Sequence, residues 1–127
     1  MAFLQIDYKS EALMRGVYIK VILPSDGMAG KWEPPYKTLY LLPGYSATAT
    51  ELITYLGLRG QSELKGIAIV LPDGENLFYQ DLPDRMTFYS TYVGKELVEV
   101  TRKMLPLSTK REDTFIGGIS MGGYGAL

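Results

Sequence analysis

A chain of 127 residues, 46% apolar and 21% charged with a formal net charge of -1, has the make-up of a globular domain and excludes a disordered or fibrous protein. A balance so close to neutrality gives no electrostatic reason to expect nucleic acid or an anionic membrane as partner, and no run of about 18 apolar residues is present to span a bilayer. Cysteine and histidine are both absent, which removes disulfides, thiol nucleophiles, the commonest general base and the commonest metal ligand from these residues.

Residues 1–8 lack the basic region and long apolar stretch of a secretory signal, so a cytoplasmic protein is expected. Residues 2–8 alternate loosely and predict a first strand. Residues 14–23 are β-branched and partly alternating, as suits a second, half-buried strand; Pro24 ends it and Ser25, Asp26 and Gly27 supply a turn. A third, short apolar run at 38–42 is bounded by Pro43 and Gly44 and predicts a strand buried on both faces. Thr48 and Glu51 match a capping box, which predicts a helix over about residues 50–58 with Leu52, Ile53 and Leu56 on one face. Residues 67–71 form another buried run, closed by Pro72, Asp73 and Gly74.

The clearest helix follows. Tyr89, Val93, Leu97, Val100 and Met104 recur at helical spacing, while Lys95, Glu96, Glu99, Arg102 and Lys103 take the other face, and Pro106 stops it. Residues 114–117 predict the last strand, which runs into a glycine-rich turn. Strands alternating with helices call for parallel pairing, an α/β fold built as one domain with helices on both faces of a mostly parallel sheet.

That glycine-rich turn carries the chemistry. Gly118-Ile119-Ser120-Met121-Gly122 fits the Gly-x-Ser-x-Gly pattern. In that pattern a serine sits on a strained bend between strand and helix, with its hydroxyl exposed above the sheet. Gly118 and Gly122 are small because the backbone doubles back too tightly for a Cβ, and the following helix aims N–H groups at the negative charge that develops in acyl transfer. An apolar strand before and residues 123–127, able to open a helix, after are the surroundings the pattern requires. Pro43 to Ser46, at the end of the third strand, form a loop able to offer a second oxyanion N–H.

The chain resembles the tributyrin esterase branch of the esterase D and S-formylglutathione hydrolase family, in the stretches 36–46, 71–79, 92–97 and 118–127. The resemblance implies an α/β-hydrolase fold and a serine carboxylesterase that hydrolyses short-chain acyl esters or related thioesters without metal or organic cofactor. It makes Ser120 the nucleophile and the backbone N–H groups of Met121 and Tyr45 the oxyanion hole, and the partner is then a small acyl ester. Where the family has a histidine at the end of the third strand, this chain has Pro43, which lacks an N–H.

Triad order in this fold is Ser, then Asp, then His, yet the chain ends seven residues after Ser120. The expectation is therefore that residues 1–127 are the N-terminal part of a single hydrolase domain, truncated just after its nucleophile elbow. Such a fragment is expected to be unstable, to associate through the exposed edge of the last strand or as a homo-oligomer, and to be inactive because its Asp and His partners are missing. The alternatives are a non-catalytic remnant or scaffold copy of the fold, and a thioesterase or acyltransferase using the same serine.

Other polar residues are less decisive. Asp73, Glu75 and Asn76 lie at the carboxyl end of a parallel strand, where ligands bind in such sheets, but Asp73-Gly74 equally makes a plain turn. Tyr79 and Tyr45 line a substrate pocket or serve in aromatic packing. Glu112 and Asp113, at the amino end of the last strand, and Lys110 and Arg111 before them, are expected to be solvated.

Overall fold

The structure is a computed structural model that describes residues 2–25, 32–42, 53, 57–72, 81–82, 87–88 and 91–118. Strands β1 (Ala2–Ser10) and β2 (Arg15–Leu23) form a hairpin in antiparallel register from Ala2 opposite Leu23 to Ser10 opposite Arg15. Alternation explains the pairing: Leu4, Ile6 and Tyr8 turn inward and pack on the core, while Phe3, Gln5, Asp7 and Lys9 stay exposed. On β2, Ile19, Val21 and Leu23 join the same core.

Strands β3 (Lys37–Leu42) and β4 (Ile67–Pro72) pair in parallel, with Tyr40 opposite Val70. β4 also pairs antiparallel with β2, Ile19 standing opposite Pro72. The last described strand, β7 (Thr114–Gly118), runs parallel to β3 from Thr38 opposite Thr114 to Leu42 opposite Gly118. The resulting five-stranded order is β1-β2-β4-β3-β7. A separate two-stranded ladder joins β5 (Asp81–Leu82) to β6 (Thr87–Phe88); neither strand is evident from periodicity.

Helices cover both faces of the sheet, as the alternating order requires. On one face Ile19, Val21, Tyr40, Ala68 and Val70 pack with Leu97 of helix α2 (Leu97–Met104). On the other, Ile22, Leu41, Ile69 and Leu71 pack with Leu58 of helix α1 (Leu58–Lys65). The inner strands β2, β3 and β4 therefore read as near-continuous apolar runs. Each Leu, Ile or Val so buried contributes about 1.5–3 kcal/mol relative to exposure. The outer strand β7 differs, since Phe115 and Ile116 are 46% and 48% exposed. Among the described residues, β3 is its one neighbour.

Two expected helices need correction. Of residues 50–58, Ile53 is helical and packs beneath the sheet, while 50–52 and 54–56, with Leu52 and Leu56, lie outside the described residues. Gly57 is left-handed at φ 60, so no regular helix runs through it, and α1 begins at Leu58. The second helix has a different inner face. A π-helical turn, Tyr92–Glu96, precedes α2, and the Leu97 N–H reaches back five residues to the Tyr92 carbonyl. The wider turn shifts the phase of everything after it. Tyr92, Val93, Leu97 and Thr101 are buried, Val100 is half-buried and Met104 is exposed. Glu96, expected outside, is half-buried.

Thr101 sits inside because its hydroxyl is satisfied. It donates to the Leu97 carbonyl at 2.8 Å and accepts from the Tyr40 hydroxyl at 2.8 Å, which ties α2 to β3. Burial raises the Tyr40 phenol above its ordinary pKa, so that hydroxyl remains a donor throughout the neutral range. No helix among the described residues is long and apolar enough to cross a membrane.

Candidate active site

The three parallel strands end together. Leu42 closes β3 opposite Gly118, which closes β7. Tyr40 and Val70, opposite each other, stand two residues short of the ends of β3 and β4. Ligand sites of open α/β sheets gather at this carboxyl edge. The β1–β2 turn belongs to the same edge, because β2 is antiparallel to β4 and its residues before Ile19 run past Pro72.

The chain segments that leave these strand ends are the ones carrying the expected chemistry. Tyr45 follows Leu42 by three residues, Asn76 and Tyr79 follow Pro72, and Ser120, Met121 and Gly122 follow Gly118. All six, and Pro43, Asp73 and Glu75, lie outside the described residues. Gly118 is described: it is the last residue of β7, half-buried and paired with the last residue of β3. At the preceding Gly117, a Cβ would meet the Leu39 and Leu41 methyls at 3.6 and 3.8 Å, ordinary contact distances, so space does not demand glycine there.

Beneath this edge lies a cluster that periodicity does not reveal. Leu42, fully buried, packs with Val17 of β2, Leu13 of the β1–β2 turn, and Tyr92 and Val93 of the π-helical turn. Polar contacts bind the same pieces. Glu96 accepts the Ala12 backbone N–H at Oε2, 2.8 Å away, and the Tyr8 hydroxyl at Oε1, at 3.5 Å. The Leu13 N–H donates to the buried Ser10 hydroxyl at 3.1 Å. Burial first, and the neighbouring Glu96 carboxylate second, hold the Tyr8 phenol well above its ordinary pKa, against a smaller opposing effect of its hydrogen bond with Tyr92. Tyr8 thus stays protonated and faces Glu96 as a donor. A π-helical turn cannot be read from spacing, so in the sequence Glu96 reads as one more solvated charge.

The amino end of β7 is fastened differently. The Arg102 guanidinium donates to the Thr114 hydroxyl at 2.9 Å, and Ser108 donates to Asp113 at 2.7 Å. Asp113 is therefore half-buried and bonded, a correction to its expected exposure, whereas Lys110, Arg111 and Glu112 are exposed as expected. Among the described residues no group of three or more Asp, Glu, His or Cys side chains gathers as a metal site would.

The model of the Esterase family matches residues 10–127. An acetyl esterase of Caldicellulosiruptor saccharolyticus is 40% identical over 132 residues, covering 100% of this chain and 50% of that protein. Among solved structures, the substrate-bound fluorophosphonate-binding serine hydrolase F of Staphylococcus aureus superposes with a TM-score of 0.85 at 30% identity, over 98% of this chain and 49% of that one. An S-formylglutathione hydrolase of the same organism superposes at 0.83 with 31% identity, over 98% and 49%. The chain spans about half the length of the relatives it matches. The sheet order and the helices on both faces are thus those of an α/β-hydrolase.

Proposed function

The chain belongs to the Esterase family, and from that membership we propose that its protein is a serine carboxylesterase of short-chain acyl esters. Ser120 is its nucleophile. The Ser120 hydroxyl attacks the acyl carbonyl and forms the new ester bond, and its proton passes to a general base. The chain holds no histidine, so a histidine base is supplied by sequence outside residues 1–127, and in this fold's triad order its Asp or Glu partner also follows the serine. The tetrahedral oxyanion is received by the backbone N–H groups of Met121 and Tyr45. The alcohol then leaves with the proton, and water hydrolyses the acyl-enzyme to release the acid.

The observation that carries this reading is the pairing of Leu42 with Gly118. Neighbouring strands lie about 4.8 Å apart, and two residues of chain reach at most about 7 Å, three at most about 11 Å. Ser120 lies two residues past Gly118 and Tyr45 three past Leu42, so those lengths of chain allow both to meet one acyl carbonyl, which supports the reading. The likeness to an acetyl esterase favours a short acyl group. The likeness to an S-formylglutathione hydrolase keeps thioesters as a second substrate class. The cytoplasmic setting and the small acyl ester as partner follow from the sequence expectation alone.

The test is kinetic. The full-length gene product is expected to hydrolyse p-nitrophenyl acetate faster than p-nitrophenyl octanoate. Residues 1–127 alone are expected to fall at least about 10³-fold below it, because a serine without its base retains only a small residual activity. Equal rates for the two polypeptides, or a full-length product with no hydrolysis of ester or thioester, would refute the proposal.

A further inference from the structure

We infer that Glu96 is a positioning residue for catalysis, fixing through the β1–β2 turn the end of β3 from which the oxyanion loop departs. The inference rests on the esterase reading above. Glu96 sits on the π-helical turn and not on a regular helix, and such turns are frequent at functional sites. Here the carboxylate grips the backbone of the β1–β2 turn itself, at the Ala12 N–H, while Tyr8 engages its other oxygen. A charged acceptor makes that N–H bond one of the stronger kind. The next residue, Leu13, packs directly in the cluster that encloses Leu42. Leu42 has no exposure to solvent, so its position is set by those neighbours and by its partner Gly118.

Oxyanion donors work only within about 2.7–3.1 Å of the developing charge, and a displacement of about 1 Å far from the chemistry can cost about 10²-fold in rate. Releasing the β1–β2 turn loosens the packing under Leu42 and shifts the start of the loop carrying Tyr45. Substrate contacts elsewhere are untouched, so the loss falls on kcat and not on KM. A fastening that served stability alone would lower the melting temperature without that split.

The experiment compares Glu96→Ala, Glu96→Gln and Ser108→Ala with wild type in the full-length gene product, measuring kcat and KM on p-nitrophenyl acetate and the melting temperature. Glu96→Ala is expected to lower kcat at least about 10-fold with KM within about 3-fold. Glu96→Gln keeps an acceptor for the Ala12 N–H and is expected to recover kcat to within about 3-fold of wild type. Ser108→Ala, which breaks the bond to Asp113 at the opposite end of β7, is expected to lower the melting temperature and leave kcat unchanged. Should Glu96→Ala fail to fold, Glu96→Asp, one methylene shorter, carries the same test with the same expected split. An active wild type whose Glu96 variants keep full kcat overturns the inference alone, as does a kcat loss shared equally by Ser108→Ala. A wild type without esterase activity overturns the esterase reading and this inference with it.

Discussion

Replacing Ser120 by alanine in the full-length gene product is expected to lower kcat/KM on p-nitrophenyl acetate by at least about 10⁴-fold, equivalent to about 5.5 kcal/mol of lost transition-state stabilisation. The loss is of this size because no acyl-enzyme forms without the Ser120 hydroxyl, which leaves only binding and the oxyanion hole to act on the substrate. KM is expected to move little, since the change removes one oxygen at the reacting centre and leaves the acyl and alcohol contacts in place. The fold is expected to survive, with a melting temperature close to wild type. Residual activity above about one part in 10³ would show that another group carries the chemistry.

The largest expected effect on stability lies on the opposite side of the molecule, at Gly66. This residue ends α1 in the left-handed conformation at φ 68, with its N–H bonded to the Ser62 carbonyl at 2.8 Å. A Cβ there would fall 2.4 to 2.8 Å from the Trp32 indole, closer than packed carbons approach. Gly66→Ala therefore combines two costs: about 1–2 kcal/mol for a left-handed non-glycine residue and about 1–3 kcal/mol for overpacking. Gly57, also left-handed at φ 60, has nothing within 4 Å of its Cβ position. Gly57→Ala is expected to cost the conformational part alone, about 1–2 kcal/mol. Urea unfolding of both variants checks the contrast. Equal destabilisation would mean that Trp32 moves aside freely.

The difference between these glycines also marks where sequence reading stops. Strands β2, β3 and β4 are visible as apolar, β-branched runs closed by Pro or Gly, because burial on two faces leaves little choice of residue, and β7 is visible as an apolar run although Phe115 and Ile116 are half exposed. Helix α1 is not visible. Its sequence, residues 58–65, buries Leu58 and Ser62, and the serine is tolerated because its hydroxyl donates to the Ile67 carbonyl at 2.6 Å. Among its described side chains, one buried leucine and one satisfied serine make no apolar stripe. The same happens at Thr101, an inward polar residue paired with Tyr40, where the expected stripe named Val100 and Met104 instead.

At the proposed site, the Gly-x-Ser-x-Gly pattern is plain in the sequence, because the cramped bend it predicts admits few residue types. The support beneath the strand ends is not. Leu13, Leu42, Tyr92 and Glu96 come together through a hairpin register, a parallel pairing and a π-helical turn, and none of these has a local signature. Glu96 reads as a surface charge until the turn that re-aims it is seen.

Whether Ser120 is an activated nucleophile is measured most directly by reacting the full-length gene product with a fluorophosphonate and locating the adduct by mass spectrometry of its peptides. The expected result is one adduct per protein, on the peptide bearing Ser120 and missing from Ser120→Ala. An adduct on a different residue, or none in a preparation that still hydrolyses p-nitrophenyl acetate, would contradict it.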